Sequence, residues 1–207
     1  MSPAPLLVLW SGVDEWRAEV AEVELGTAGV RARGTQAGGD PLPGRPYRLD
    51  YRLDAGEGFV TRRLDVTATG AGWSRALALE RGADGRWTCA AAEDGGPPAV
   101  VERPDLAGAL DCDLGGSPLT NLMPVRRLGL MRPGPPAEIV AAWVDVPALT
   151  VHPSRQRYEH VRDQVGGAVV RYTDLGAHAG VSAELLLDAD GLVVGYPGLA
   201  RRVGGGR

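Results

Sequence analysis

The sequence predicts a mostly β protein, an antiparallel sheet curled or layered so that one of its faces is withdrawn from water. Three observations lead there. Tyr47, Leu49, Tyr51 and Leu53 alternate with Arg48, Asp50, Arg52 and Asp54, and a strand sends those two sets to opposite faces. Glycine-rich and Asp-Gly turns recur between short apolar runs at the spacing of hairpins. The 207 residues also include 30 glycines and 16 prolines, which disfavour long helices.

Along the chain, residues 21–25 and 30–35 flank a Gly26-Thr27-Ala28-Gly29 turn and read as the first hairpin. Residues 76–79 and 86–90 flank a loop ending in Asp84-Gly85, and 181–187 and 192–196 flank Asp188-Ala189-Asp190-Gly191. Further strands are expected at 59–68, 124–130, 138–146 and 168–172. A short helix is expected at 154–165, with Ser154 as N-cap and Tyr158, Val161 and Val165 along one side. A second helical turn is expected at 104–109. Residues 37–46, 94–98 and 131–136 are loops by composition, none long enough for a domain linker. The chain therefore reads as a single domain over residues 1–207, with a disordered tail at about 204–207.

About a dozen strands in one antiparallel sheet must either stack as two layers or curl to hide a face. A curled sheet commonly leaves a cavity whose mouth is a ligand site. Periodicity leaves sandwich and roll equally open.

Composition narrows the function. The 22 basic residues, all arginine, face 26 acidic ones for a formal net charge of −4. The absence of lysine, with single phenylalanine, isoleucine and asparagine residues, points to a GC-rich genome rather than to a role for arginine. A mildly acidic chain lacks the positive field that draws nucleic acid or anionic membrane, so no nucleic-acid partner is expected. Residues 6–10 are apolar but lack a preceding basic residue and a small-residue cleavage site, so no signal peptide is read. No apolar stretch approaches the ~20 residues of a membrane helix, so no stable membrane insertion and a cytoplasmic location are expected. Cys89 and Cys112 form no CxxC pattern and are expected to be free thiols. His152, His160 and His178 lack metal-ligand spacing, and no metal or other cofactor is expected. No GxSxG elbow, P-loop or GxGxxG opening a helix is present, and no catalytic residue is assigned.

Two regions carry candidate chemistry. In a strand, Arg62 would share a face with Leu64 and Val66, and Arg126 with Leu128 and Leu130. An inward arginine needs a carboxylate or an anionic ligand beside it. Arg62, Arg126 and Arg127 are thus either donors to a phosphate, carboxylate or sugar hydroxyl, or structural partners of an aspartate such as Asp111 or Asp113. Asp111 and Asp113 would lie on one strand face, where two carboxylates serve acid–base work or a cation. Asn121 ends a Ser117-Pro118-Leu119-Thr120-Asn121 segment that is either turn chemistry or a ligand contact. Tyr51, Trp87, Trp143, Tyr158 and Tyr196 either line a pocket, where sugars and lipid chains lie against aromatic faces, or pack the core.

Several of these segments together carry a resemblance. Leu110-Asp111-Cys112-Asp113-Leu114, then Ser117-Pro118-Leu119-Thr120-Asn121 and Pro124-Val125-Arg126-Arg127-Leu128, are similar to the central signature of the putative glycolipid-binding family of bacterial proteins. Tyr47-Arg48-Leu49-Asp50-Tyr51, Thr61-Arg62-Arg63-Leu64, Gln156-Arg157-Tyr158, Asp190-Gly191-Leu192-Val193 and Tyr196-Pro197-Gly198-Leu199 extend it over almost the whole chain. The resemblance implies a spiral β-roll, a half-open barrel around an apolar cavity, and a role in binding or handling glycolipids without established catalytic residues. Val181 departs from the family pattern, which places an aromatic there, as does Gly195, where the pattern places an acid.

Three functions follow as expectations. The first is a binder of a small amphiphile, with Arg62, Arg126, Asn121 and Asp113 meeting its polar head and leucine- and valine-rich faces holding its chains. The second is an enzyme on a sugar or lipid headgroup that uses Asp111 or Asp113 with Arg126 or Arg127. The third is a structural or protein-interaction module. The oligomeric state is left open.

Overall fold

The computed structural model describes residues 4–39, 46–176 and 179–205. Fifteen strands form one sheet. Its first arm contains β1 (Leu6–Gly12), β2 (Arg17–Leu25), β3 (Val30–Gly39), β4 (Pro46–Ala55), β5 (Thr61–Gly70), β6 (Trp73–Arg81), β7 (Trp87–Glu93) and β8 (Ala99–Glu102). The second contains β9 (Asp111–Leu114), β10 (Ala137–Val144), β11 (Val151–Gln164), β12 (Gly167–Asp174), β13 (Ser182–Asp188), β14 (Val193–Tyr196) and β15 (Ala200–Gly205).

Across the sheet the order is β8-β7-β6-β5-β4-β3-β2-β1-β15-β14-β13-β12-β11-β10-β9. Every seam but one joins strands consecutive in sequence. The exception, β1 against β15, unites the two arms, with Leu9 opposite Gly204 and Ser11 opposite Arg201. All pairings are antiparallel except β9 with β10.

That parallel pair explains the one α-helix among the described residues. Parallel neighbours cannot be joined by a tight turn and need a crossover of a dozen or more residues. Residues 115–136 provide it, with a 3-10 turn at Pro118–Asn121 running into α1 (Leu122–Arg127). The crossover folds into the inside of the sheet, where Leu119, Leu122, Met123 and Val125 are buried. Leu119, Leu122 and Met123 belong to the same buried cluster as Leu49, Leu53 and Leu64 of the first arm. Val125 and Leu130 pack with Tyr158, Val170, Leu185 and Leu187 of the second. Fully burying such a side chain contributes about 1.5–3 kcal/mol, so this plug holds both arms to one centre.

The sheet curls back on itself without closing. The Thr61 backbone N–H donates to Leu110 O at 2.9 Å, and the Cys112 N–H donates to Thr61 Oγ1 at 2.9 Å. The last strand of the order, β9, is thereby tied to β5 in the middle of the first arm. The product is the expected half-open roll, mostly antiparallel.

Several elements match their reading from sequence. Tyr47, Leu49, Tyr51 and Leu53 are buried on one face of β4, and the hairpins β2–β3, β6–β7 and β13–β14 pair as expected. The turn expected at 104–109 is a 3-10 turn at Pro104–Leu106. Cys89 and Cys112 are free and buried.

Others need correction. The helix expected at 154–165 is instead strand through Gln164, part of β11: buried Gln156 and Tyr158 alternate with exposed Arg155 and Arg157, the period of a strand. Residues 124–130 hold α1 and its exit rather than a strand. Pro124 is tolerated there because the first N–H groups of a helix have no intrahelical partner. The tail expected to be disordered at 204–207 is strand at Gly204 and Gly205, which pair with Leu9 and Val8. Residues 206–207, residues 40–45 of the expected loop at 37–46, and His178 lie outside the described residues.

Candidate functional site

The main cleft opens between the crossover and the inner face of the second arm, with a volume of about 860 Å³. Strand register builds its floor. In the parallel pair Asp113 of β9 stands opposite Trp143 of β10, and Trp143 stands opposite His152 of β11. On β12, Tyr172 and Asp174 are two residues apart and so share a face, and both line the cleft. Tyr196 and Leu199 come from the end of β14 and the turn after it, Glu15 from the turn between β1 and β2. Ser117 and Asn121 come from the buried crossover, and Asp145 follows β10. The volume falls within the ~300–1,000 Å³ of small-molecule sites.

One chain of hydrogen bonds supports the wall. Gln156 Nε2 donates to Asp113 Oδ2 at 2.6 Å, and Thr120 Oγ1 donates to Asp113 Oδ1 at 3.0 Å. Behind them the Tyr158 hydroxyl reaches Gln156 Oε1 and Asn121 Oδ1. Burial, reinforced by the charges of Asp111 and Asp174, pushes the Asp113 carboxyl above its usual range. Burial and the Asp113 charge likewise push the Tyr172 and Tyr196 hydroxyls up. The rings form a string, Tyr158 edge-on to Tyr172 at 5.4 Å and Tyr172 tilted against Tyr196 at 6.2 Å.

Of the residues singled out from sequence, Asp113, Asn121, Trp143 and Tyr196 line this cleft, and Tyr158 stands directly behind it. The rest lie elsewhere. Tyr51 is buried in the first arm and donates to Glu19 Oε1 at 2.6 Å. Trp87 is buried, its indole N–H on Ala109 O at 3.1 Å.

None of the three arginines lines the cleft. Arg62 is exposed because the β4–β5 register skips it: Asp54 faces Arg63 and Ala55 faces Thr61, a bulge that turns Arg62 outward instead of beside Leu64. Arg126 lies on a helix, its guanidinium over the Phe59 ring at 5.2 Å and one nitrogen on Asp190 O at 3.4 Å. Arg127 forms an ion pair with buried Asp111, so the two aspartates of β9 have separate roles: one neutralised, one facing the cleft.

A second buried polar group adjoins the cleft. Glu19 Oε1 accepts from the Tyr51 hydroxyl and from Ser117 Oγ at 2.7 Å. Glu19 Oε2 and Arg17 Nε have no hydrogen-bond partner among the described residues. Burial raises the Glu19 carboxyl from the usual 4.5 to about 7 against the pull of those hydroxyls. Arg17 packs against Gly116, where a Cβ would fall 2.7 Å from its Cζ and where φ is +74°.

Sequence reasoning missed Glu15, Asp145, His152, Tyr172 and Asp174 as cleft residues, while Ser117 belongs to the segment read as turn or ligand contact. The one local signal among them is the i, i+2 placement of Tyr172 and Asp174 on a strand. The rest meet only through topology. Among the described residues, no group of three or more His, Cys, Asp or Glu is placed to hold a metal ion. No helix among them is long and apolar enough to cross a membrane.

Comparison with known proteins gives two matches. The model of a family described as putative glycolipid-binding matches residues 7–202. A crystal structure of a DUF1089 family protein from Pseudomonas aeruginosa superposes with a TM-score of 0.70 at 32% identity, covering 89% of this chain and 92% of that one. No curated protein matches the chain.

Proposed function

Since the chain belongs to the putative glycolipid-binding family, we propose that it binds an amphiphile non-covalently, with the polar head in the 860 Å³ cleft. The observation that carries this reading is the pairing, in one cleft, of aromatic walls with fixed polar groups. Trp143, Tyr172 and Tyr196 offer faces to the C–H side of a sugar ring, while Asp113 and Asn121 offer hydrogen bonds held in place by Gln156 and Tyr158. Leu114, Leu199 and half-exposed Val181 supply an apolar path for the first carbons of a tail, each buried CH₂ contributing about 0.8 kcal/mol. The centre of the roll is filled by the crossover, so chains would leave along the cleft rather than fill a hollow interior. Val181, one of the departures from the family pattern, lies on that rim. The two free, buried thiols fit a single cytoplasmic domain.

Native mass spectrometry of the purified protein, alone and with added octyl glucoside, tests the reading. A retained or added amphiphile, lost by at least tenfold in affinity on Trp143→Ala, is the expected result. Absence of any bound amphiphile in both samples counts against it.

Asp113 favours a second reading. It faces the cleft, it is not neutralised by an arginine, and its carboxyl is pushed toward holding a proton, as a general acid on a glycosidic oxygen requires. Hydrolysis of aryl glycosides, abolished by Asp113→Asn, would favour this reading over simple binding. Inert behaviour across such substrates removes it.

A further inference from the structure

Resting on the binding reading above, we infer that the cleft takes a carbohydrate head without phosphate, sulfate or carboxylate and discriminates against anionic amphiphiles. Among the described residues, the carboxylate side chains of Glu15, Asp113, Asp145 and Asp174 line it, against one basic residue, His152. Among the described residues no arginine lines it. Arg127 is paired with Asp111, and Arg126 lies over Phe59. Arg17, behind Gly116, is paired with Glu15 at 3.1 Å, so those two charges offset each other and the acidic character rests on Asp113 and Asp145.

The titratable groups inside report the same field. Burial is the first cause of the upward movement of Asp113, Tyr172 and Tyr196. In each case the charges of neighbouring aspartates push in the same direction. An anionic head entering the cleft would surrender its hydration beside the Asp113 and Asp145 carboxyls with no arginine among the described lining residues to pair with it. A sugar hydroxyl is both donor and acceptor, so it can give its proton to a carboxylate oxygen while the ring lies on Trp143. The cleft thus matches the hydroxyl-rich part of a glycolipid, not its phosphate.

A matched pair of probes isolates the charge: octyl glucoside and octyl glucuronide share ring size and chain and differ by one carboxylate. Isothermal titration at pH 7.5 in low salt should show the glucoside bound at least tenfold more tightly. The ratio should shrink in high salt and in both Asp113→Asn and Asp145→Asn. The second variant guards against the first one simply folding poorly, because the Asp145 side chain has no part in the Gln156–Tyr158 chain. Equal or tighter binding of the glucuronide overturns the inference and leaves the binding reading intact. A preference unchanged in both variants also overturns it, since the discrimination would then arise outside the cleft. Binding of neither probe removes the binding reading and the inference with it.

Discussion

Tyr158 and Asn121 join the two halves of the candidate site: the tyrosine hydroxyl of β11 lies 3.1 Å from the carboxamide oxygen that ends the buried 3-10 turn. Neither residue touches the other in sequence, and both are buried. Tyr158→Phe removes the donor and leaves the Asn121 oxygen unsatisfied, which costs about 1–3 kcal/mol. Urea denaturation should show that loss, and octyl glucoside affinity should fall because Asn121 and Gln156 are no longer fixed.

Asp111 is almost wholly buried and its charge is met by Arg127. Arg127→Met leaves that carboxylate unpaired, and the expected loss is about 3–5 kcal/mol. The double variant Asp111→Leu/Arg127→Met should regain most of it, because a packed apolar pair needs no desolvation. Chemical denaturation of the three variants in a thermodynamic cycle measures the recovery, and a double variant as unstable as the single one would show that the pair does more than neutralise itself.

Glu19 sets a pH dependence. Its carboxyl holds a proton to about pH 7 in the folded chain and to about 4.5 in the unfolded one. Between these values the folded chain binds more protons, so stability present below pH 4.5 is lost as pH rises through 7. The upper bound on this loss is about 3 kcal/mol. Melting temperatures recorded from pH 5 to pH 8 should fall, and Glu19→Gln should flatten that slope.

Gly34 lies opposite Tyr51 in the β3–β4 pair, and a Cβ there would fall 2.4 Å from the tyrosine hydroxyl. The ring is buried and held by its bond to Glu19, so it cannot simply swing away. Gly34→Ala should destabilise by about 1–3 kcal/mol, exceeding the ~0.4–1 kcal/mol gained by stiffening the unfolded chain. Thermal unfolding checks the sign: a raised melting temperature would mean the ring finds another seat.

How much of this was legible in the sequence follows from what each element buries. β4 hides one face only, so Tyr47, Leu49, Tyr51 and Leu53 mark it with period two. The crossover helix is short and buried through Leu122, Met123, Pro124 and Val125 in succession, so it has no polar side to mark a helical period. In β11 the strand period shows at Gln156 and Tyr158 but fades after His160, where the register shifts. Arg62 was misplaced for the same reason, since a bulge breaks the two-residue alternation on which its facing depended. Asp113 and Asn121 stand in a short segment rich in polar residues, and that segment does reach the cleft. His152 reaches it from β11 beside β10, Tyr172 from β12 one strand farther on, and Asp145 from just past the end of β10, and nothing local to them records that they meet β9.

The seam between β1 and β15 has a kinetic consequence. On either side of it the arms are assembled from pairings of strands adjacent in sequence, the longest closure being the 115–136 crossover between β9 and β10. Only this junction unites positions nearly two hundred residues apart, such as Leu9 and Gly204. During synthesis β1 must wait beside its hairpin partner, with its other edge bare, until Ala200–Gly205 has been made. The midline of the finished sheet is thus the last part that a nascent chain can complete, and the part most open to capture by a foreign strand beforehand.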